Sequence, residues 1–247
     1  MPMLDKVNGA DLAMLSTQAL KTRLLQLVEG QDDKRLSEKL ALLDGALAPY
    51  IDELTRRNPH PRAEDQVATV IGVWTPVWST IPFHHALPGR IPSQSYQIFR
   101  ERGFYANVAH HAPGHQNALL HRLTPLGLAC NLMLVQRFEV SGGRWLIENI
   151  GIELARGRRD KGLGIDDAEA WFDAVLAKKL DCTDTANATL GAPDLSGLDA
   201  ASAKRLAKSF QAKPMMENIY LDDDLRLIRS QREATQRPSY TIGLRLR

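Results

Sequence analysis

The chain has 247 residues, 44% apolar and 24% charged, which predicts an ordinary soluble globular protein with a substantial core. Lysine and arginine (31) barely exceed aspartate and glutamate (29), so no global basic field favours nucleic acid as a partner. No apolar run approaches the roughly 20 residues that span a bilayer, and Cys130 and Cys182 lack metal-site spacing, so we expect a cytoplasmic protein with reduced thiols.

Residues 11–58 carry leucines at the spacing of helix faces. Gly45 and Pro49 interrupt this pattern, so we expect a break near them and a short helix that has the proline in its first turn. We predict that residues 1–62 form an N-terminal helical segment that packs on a second unit, residues 63–247.

From residue 67 the sequence changes to short runs rich in Val, Ile, Thr and aromatic residues, which suit strands. Glycine-containing turns separate two pairs of these runs and predict two hairpins. Several short strands at this spacing argue for an antiparallel sandwich or barrel. The predicted strands lie at residues 67–75, 95–100, 104–110, 128–140, 145–154 and 239–247.

Residues 157–214 differ from the strands on either side. Asp166 and Asp167 can cap a helix in which Phe172 and its apolar neighbours share one face. A second helix is expected after Leu198. We interpret this segment as a helical insertion that packs on the barrel or closes one end of it.

Two motifs predict how the barrel closes. Gly72-Val73-Trp74 resembles the Gly-x-Trp of lipocalin-type barrels, which implies that the indole crosses the closed end and that an arginine from a late strand stacks on it through a cation–π contact. Arg226 and Arg229 are the candidates for this contact, and the aspartates before them are typical of a turn with ion pairs. The residues assigned to barrel closure are Gly72, Trp74, Tyr220, Asp222, Asp224, Arg226 and Arg229.

Several short motifs follow one another in a distinctive order. These are Asn58-Pro59, Gly72-Val73-Trp74 with Trp78-Ser79-Thr80, Tyr96-Gln97-Ile98, Ala106-Asn107-Val108, and Tyr220-Leu221-Asp222-Asp223-Asp224-Leu225-Arg226 with Arg229. The set, which spans most of residues 20–110 and 217–247, resembles the plastid lipid-associated protein/fibrillin (PAP/fibrillin) family. The resemblance implies an α+β, mainly β fold: a lipocalin-like antiparallel β-barrel with N-terminal α-helices. It also implies noncatalytic binding or sequestration of a small apolar molecule such as a lipid, a quinone or an isoprenoid.

In such a barrel we expect an apolar cavity with a few polar anchors. The competing interpretation is a scaffold barrel that the same side chains fill, which leaves no room for a ligand. Leu244 is expected on the cavity wall. The residues assigned to ligand binding are Trp78, Tyr96, Ile98, Tyr105, Asn107, Val108, Leu134, Ile147 and Tyr240.

Histidines crowd between residues 84 and 121, and a metal-binding protein or enzyme that uses them is the alternative hypothesis. Neighbouring residues on a strand point to opposite faces, so each adjacent pair can offer one ligand to a given site. We therefore assign no catalytic residue, no metal and no cofactor. The expected partner is a small apolar ligand, with a peripheral membrane contact left open. The histidines concerned are His84, His85, His110, His111, His115 and His121.

Overall fold

Eight antiparallel strands form a closed barrel in the computed structural model, which describes residues 9–81, 89–112, 128–158, 161–183, 200, 204, 215–231 and 236–247. Each strand pairs with the next along the chain, and the last pairs back with the first. The predicted lipocalin-like antiparallel barrel is therefore confirmed. The strands are β1 (Gly72–Ser79), β2 (Arg90–Arg100), β3 (Phe104–His111), β4 (Leu128–Ser141), β5 (Arg144–Arg158), β6 (Met215–Leu221), β7 (Leu225–Gln231) and β8 (Ser239–Arg245).

Helices precede the barrel and also lie between β5 and β6. A turn of π-helix, Leu43–Leu47, stands where Gly45 and Pro49 predicted a break, so the chain continues directly into the next helix with a locally widened turn. None of the helices within the described ranges has the length and apolar character needed to cross a membrane. The helices are α1 (Gly9–Ala13), α2 (Thr17–Val28), α3 (Leu36–Leu42), α4 (Ala48–Arg56), α5 (Val67–Val70) and α6 (Ile165–Thr183).

The inner face of the barrel is identified by one cluster of buried side chains to which β1 through β7 all contribute. Only the interior of a closed barrel can bring such residues together. Side chains alternate along a strand, so this cluster also fixes which residues of each strand point outward. Its aromatic members are Trp74, Phe99, Tyr105, Phe138 and Trp145.

Two other clusters cover the outer face. The N-terminal helices pack on β1, β6, β7 and β8, where Leu20 and Leu54 lie in one cluster with Trp78 and Leu227. Helix α6 packs on β1 to β5 through a cluster that includes Phe172. Burial of these apolar faces at about 25 cal/mol per Å² stabilises the helices on the barrel.

Local differences from the sequence-based prediction are small. The first strand begins at Gly72 rather than at residue 67, because Val67–Val70 forms helix α5 and Val70 packs against the interior cluster. Both predicted hairpins are present, with turns at Glu101–Gly103 and between β4 and β5. Of the helix predicted after Leu198, residues 200 and 204 are described and are helical; the rest lies outside the described residues.

Candidate functional site

Aromatic side chains fill one end of the barrel interior, and we call this group the aromatic plug: Trp74, Phe99, Tyr105, Phe138 and Trp145. The rings of Phe99 and Tyr105 stack with centroids 4.7 Å apart, and those of Phe138 and Trp145 lie 5.0 Å apart. All five side chains are buried. Such ring pairs add to the stability that burial gives, so the plugged end is a packed core.

Gln66 anchors the plug to the chain around it. Its Oε1 accepts hydrogen bonds from Trp145 Nε1 at 2.9 Å and from Asn218 Nδ2 at 3.1 Å, while its Nε2 donates to the carbonyls of His60 and Asn218. A buried amide is stable only when its donors and acceptor are used, and Gln66 uses them all. We did not predict this residue, and its local sequence gives no signal for it.

Arg245 closes the plugged end of the barrel. Its guanidinium carbon lies 4.3 Å from the centroid of the Trp74 ring. Its Nη1 donates to the Ile71 carbonyl at 2.8 Å and its Nε to the Asp223 carbonyl at 2.6 Å. Burial lowers the pKa of Arg245, while the nearby aspartates act in the opposite direction. One side chain thus joins the last strand, the first strand and the aspartate turn.

The hypothesis that Arg226 or Arg229 covers Trp74 is wrong. Arg226 points inward, but its guanidinium lies over Phe99, 4.5 Å from the ring centroid. Arg229 points outward and pairs with Glu217, with Nε and Oε2 3.0 Å apart. The predicted cation–π contact on Trp74 exists, but Arg245 of β8 makes it, and β8 is the strand that follows β7.

Gly72 has the backbone geometry that the closure requires. Its φ is +128°, and a Cβ added there would lie 2.4 Å from the carbonyl oxygen of Arg247. The end of the chain therefore passes so close to Gly72 that a side chain cannot fit without moving the backbone.

The aspartate stretch forms a turn that binds the N-terminal helices. Asp222 Oδ1 accepts from the amides of Asp224 and Leu225 at 3.1 and 2.8 Å, and its Oδ2 accepts from Lys21 Nζ at 2.8 Å. Burial alone would raise the pKa of Asp222, but the hydrogen bonds from Lys21 and Tyr220 dominate and lower it. The aspartates are thus engaged in a turn and in ion pairs, and Lys21 fixes α2 on the barrel.

Arg226 is a fully buried cation in the barrel interior. Its Nε donates to Asn218 Oδ1 at 2.7 Å and its Nη2 lies 3.4 Å from Met216 Sδ, while Nη1 has no hydrogen-bond partner. No aspartate or glutamate of the described residues forms an ion pair with it. Burial lowers the pKa of Arg226 to about 9, so the guanidinium is charged at neutral pH.

Beyond the plug, four amide side chains form a continuous chain across the inner faces of β2 to β5, which we call the amide belt: Gln97, Asn107, Gln136 and Asn149. Gln97 Nε2 donates to Asn107 Oδ1 at 2.9 Å, Asn107 Nδ2 to Gln136 Oε1 at 2.5 Å, and Gln136 Nε2 to Asn149 Oδ1 at 2.6 Å. The Oε1 atom of Gln97 is buried and has no hydrogen-bond partner within the described ranges. One acceptor therefore remains at the end of the belt.

The part of the interior beyond the amide belt, which we call the distal half, differs from the plug. Ala109 and Leu154 point inward there, as shown by their common pairing with Leu132, yet both remain partly exposed. Gln97 and Asn107 of the belt are also partly exposed, whereas the plug side chains are buried. Inward-facing surface that stays accessible indicates incompletely filled space.

Buried charges tie an N-terminal helix to the rim of the distal half. Asp32 accepts from Lys39 Nζ at 2.9 Å and from the Ser79 amide at 2.8 Å, and it also pairs with Arg90. Lys39 in addition donates to the Ser79 carbonyl at 2.8 Å. These contacts connect α3 and the loop before it to the end of β1 and the start of β2.

Among the described residues, β5 and β6 share fewer paired positions than any other two neighbouring strands. Trp145 pairs with Met216 and Leu146 with Met215, and within the described residues the rest of β5 pairs only with β4. Met215 is largely exposed on the outer surface. The seam that closes the barrel on this side thus begins beside Met216, which contacts Arg226.

The structure divides the predicted ligand-binding residues between the two faces of the wall. Asn107 and Leu134 point inward beyond the plug, and Tyr105 and Ile147 point inward within the packed end. The remaining assignments to the cavity wall are corrected: helix α6 covers three of these side chains from outside, and the N-terminal helices pack against the other three. The outward-facing residues are Tyr96, Ile98 and Val108 under α6 and Trp78, Tyr240 and Leu244 under the N-terminal helices.

Two of the six histidines proposed as metal ligands, His110 and His111, lie within the described residues. His110 is on the outer face, where its Nδ1 lies 2.6 Å from Asn131 Oδ1, and His111 is on the inner face opposite Cys130. The parts of the chain that the structure describes hold no group of three or more potential metal ligands. His84, His85, His115 and His121 lie outside the described residues.

Neither a scan against protein-family models nor a search of curated proteins found a match to this chain.

Proposed function

We propose that the protein binds a small, mainly apolar molecule in the distal half of the barrel. This proposal rests on the contrast along the barrel axis between the buried aromatic plug and a set of inward-facing residues beyond it, Ala109 and Leu154 among them, that stay partly exposed. Ligand sites are typically apolar, with a few polar groups that fix orientation.

The chemistry of the distal half suits such a ligand. Leu132, Leu134 and Ile152 provide apolar surface, and the amide belt provides polar groups at the base of the space. The free Oε1 of Gln97 is an acceptor for a hydroxyl or an amide N–H of the ligand. The resemblance to the PAP/fibrillin family leads to the same expectation of a bound lipid-like molecule.

A pair of alanine substitutions tests the proposal. Ala109 points into the distal half, whereas Ala155 is next to the inward-facing Leu154 and points outward; both are partly exposed. Ala109→Trp places a large ring in the proposed site, and Ala155→Trp places the same ring on the other side of the wall. Native mass spectrometry of protein taken directly from cells, with extraction of bound molecules, measures occupancy.

We expect bound apolar material on the wild type and on Ala155→Trp, and its loss from Ala109→Trp. Circular dichroism would verify that both variants retain the fold. Wild-type protein that carries no extractable molecule and binds none from a lipid extract would contradict the proposal and favour the scaffold barrel.

A further inference from the structure

The burial of Arg226 in the barrel interior is not explained by packing against the described residues. A buried cation is costly unless an anion pairs with it, and its contacts here are an amide oxygen, a thioether and a phenyl ring, all uncharged. An apolar side chain of similar length would fill the same volume without that cost. The guanidinium is therefore better explained by an anionic partner that the described residues do not supply.

We propose that the ligand carries a carboxylate and that Arg226 is the residue that receives it. This inference rests on the proposed function and specifies the polar group of the ligand. A long-chain fatty acid is the simplest molecule with the required chemistry, because it joins one carboxylate to an apolar chain.

The orientation of the guanidinium supports this assignment. Asn218 occupies Nε, which leaves the edge formed by Nη1 and Nη2. A carboxylate binds such an edge with two parallel hydrogen bonds. Among the described residues, Nη1 has no hydrogen-bond partner, and the hydrogen-bond partner of Nη2 is the sulfur of Met216. The Nη1/Nη2 edge, which a carboxylate would bind, is thus the edge of the guanidinium with the weakest hydrogen bonds to the described residues.

Met216 is the neighbour of Arg226 that a carboxylate could displace. The guanidinium is enclosed, so a carboxylate reaches it only by replacing an adjacent group. Methionine is flexible and its sulfur is a weak acceptor, so the loss of this contact costs little. Met216 also lies where β6 pairs with β5 over the fewest described residues. The ligand's apolar chain would extend from Arg226 past the amide belt into the distal half.

Three ligands of equal chain length test the carboxylate. Delipidated full-length protein is equilibrated with radiolabelled palmitic acid, cetyl alcohol or methyl palmitate, and the affinities are compared. We expect the wild type to prefer the acid by about tenfold or more, because hydrogen bonds to charged groups are the strong ones. The same comparison is made for Arg226→Met and Arg226→Gln, which remove the charge and retain most of the side-chain length.

Both Arg226 variants are expected to lose the preference for the acid while their affinity for the alcohol changes little. Arg229→Gln is the matched control, because Arg229 belongs to the same strand and points outward; it is expected to keep the preference. Equal affinity of the wild type for acid, alcohol and ester would overturn the proposal that the ligand carries a carboxylate and would leave the proposed function intact. This outcome is read from the wild type without any variant. Retained preference in a folded Arg226 variant also overturns the carboxylate proposal. Failure of the wild type to bind any of the three overturns the proposed function as well.

Discussion

Arg245 and Trp74 are neighbours on paired strands, and the guanidinium carbon of the first lies 4.3 Å from the centroid of the second. The contact joins the last strand to the first at the plugged end of the barrel. Because Arg245 also donates to main-chain carbonyls there, it combines a cation–π contact with charge-assisted hydrogen bonds.

Removal of Arg245 should therefore destabilise the barrel. We expect Arg245→Ala to lower the free energy of unfolding by about 1–3 kcal/mol, the sum of a cation–π contact and hydrogen bonds to carbonyls. Urea denaturation followed by tryptophan fluorescence measures it. Arg229→Ala removes the same residue type from an exposed pair with Glu217 and is expected to cost less than about 1 kcal/mol. Equal losses in the two variants would contradict the role of Arg245.

Gly72 should not tolerate a side chain. We expect Gly72→Ala to destabilise the protein by more than about 1 kcal/mol, because its φ is +128° and the new Cβ would overlap the Arg247 carbonyl. Gly45 is the control: it lies in a helical turn, and a Cβ there meets nothing within 4 Å. Gly45→Ala is expected to stabilise the protein by about 0.5–1 kcal/mol. Thermal denaturation of the two variants would show opposite shifts in Tm.

The pair between Lys21 and Asp222 should make stability depend on pH. The pKa of Asp222 is lower in the folded protein than in the unfolded chain, so its contribution is present above the unfolded value of about 3.9 and is lost as the pH falls through the lower folded value. The pKa of Lys21 is raised, so its contribution is present below about 10.4 and is lost as the pH rises through the folded value.

Asp222→Asn tests this dependence. We expect a loss of about 1–3 kcal/mol at neutral pH, and a smaller difference from the wild type in strong acid, where Asp222 itself becomes protonated. Unfolding midpoints in urea between pH 7 and acid conditions measure it. Asp44→Asn is the control, since Asp44 forms an exposed pair with Arg237. A wild-type to Asp222→Asn difference that does not change with pH would rule out this linkage.

Asp32 should hold the distal rim together. Its carboxylate accepts from Lys39 and from the Ser79 amide, so Asp32→Ala leaves the buried Lys39 ammonium group without its carboxylate partner. We expect a loss of about 3–5 kcal/mol, the usual effect of removing one partner of a buried pair. Hydrogen exchange of the Ser79 amide should become faster, while the amides of the plugged end change less. Uniform acceleration across the barrel would show that the rim does not open as a separate unit.

The hydrophobic pattern predicted much of this fold. Strand alternation, the two glycine turns and the apolar spacing of α6 are local signals, and local signals survive in the structure because side chains repeat with the period of each element. The same alternation separated His110 from His111 correctly, because adjacent strand residues must point to opposite faces.

The candidate site was harder to predict, because the alternation of side chains along a strand does not show which of its two faces points into the barrel. Ile98 and Val108 are as apolar as core residues of the interior, but α6 covers them from outside. When helices cover both outer sides of a barrel, its two faces are apolar along much of each strand, so the sequence alone cannot distinguish them. Bulges at Pro76/Trp78 and Asn218/Tyr220 add to the difficulty, since each changes which residues share a face.

The sequence by itself therefore determined most of the elements, the antiparallel sandwich or barrel and the need for a cationic side chain over Trp74, all of which depend on residue type and short spacing. Only the tertiary structure decided that Arg245 meets this need, that no carboxylate of the described residues pairs with the enclosed Arg226, and that the amides of Gln97, Asn107, Gln136 and Asn149 form one belt. These relationships join residues distant in the chain, and they depend on strand register and on which face the helices cover.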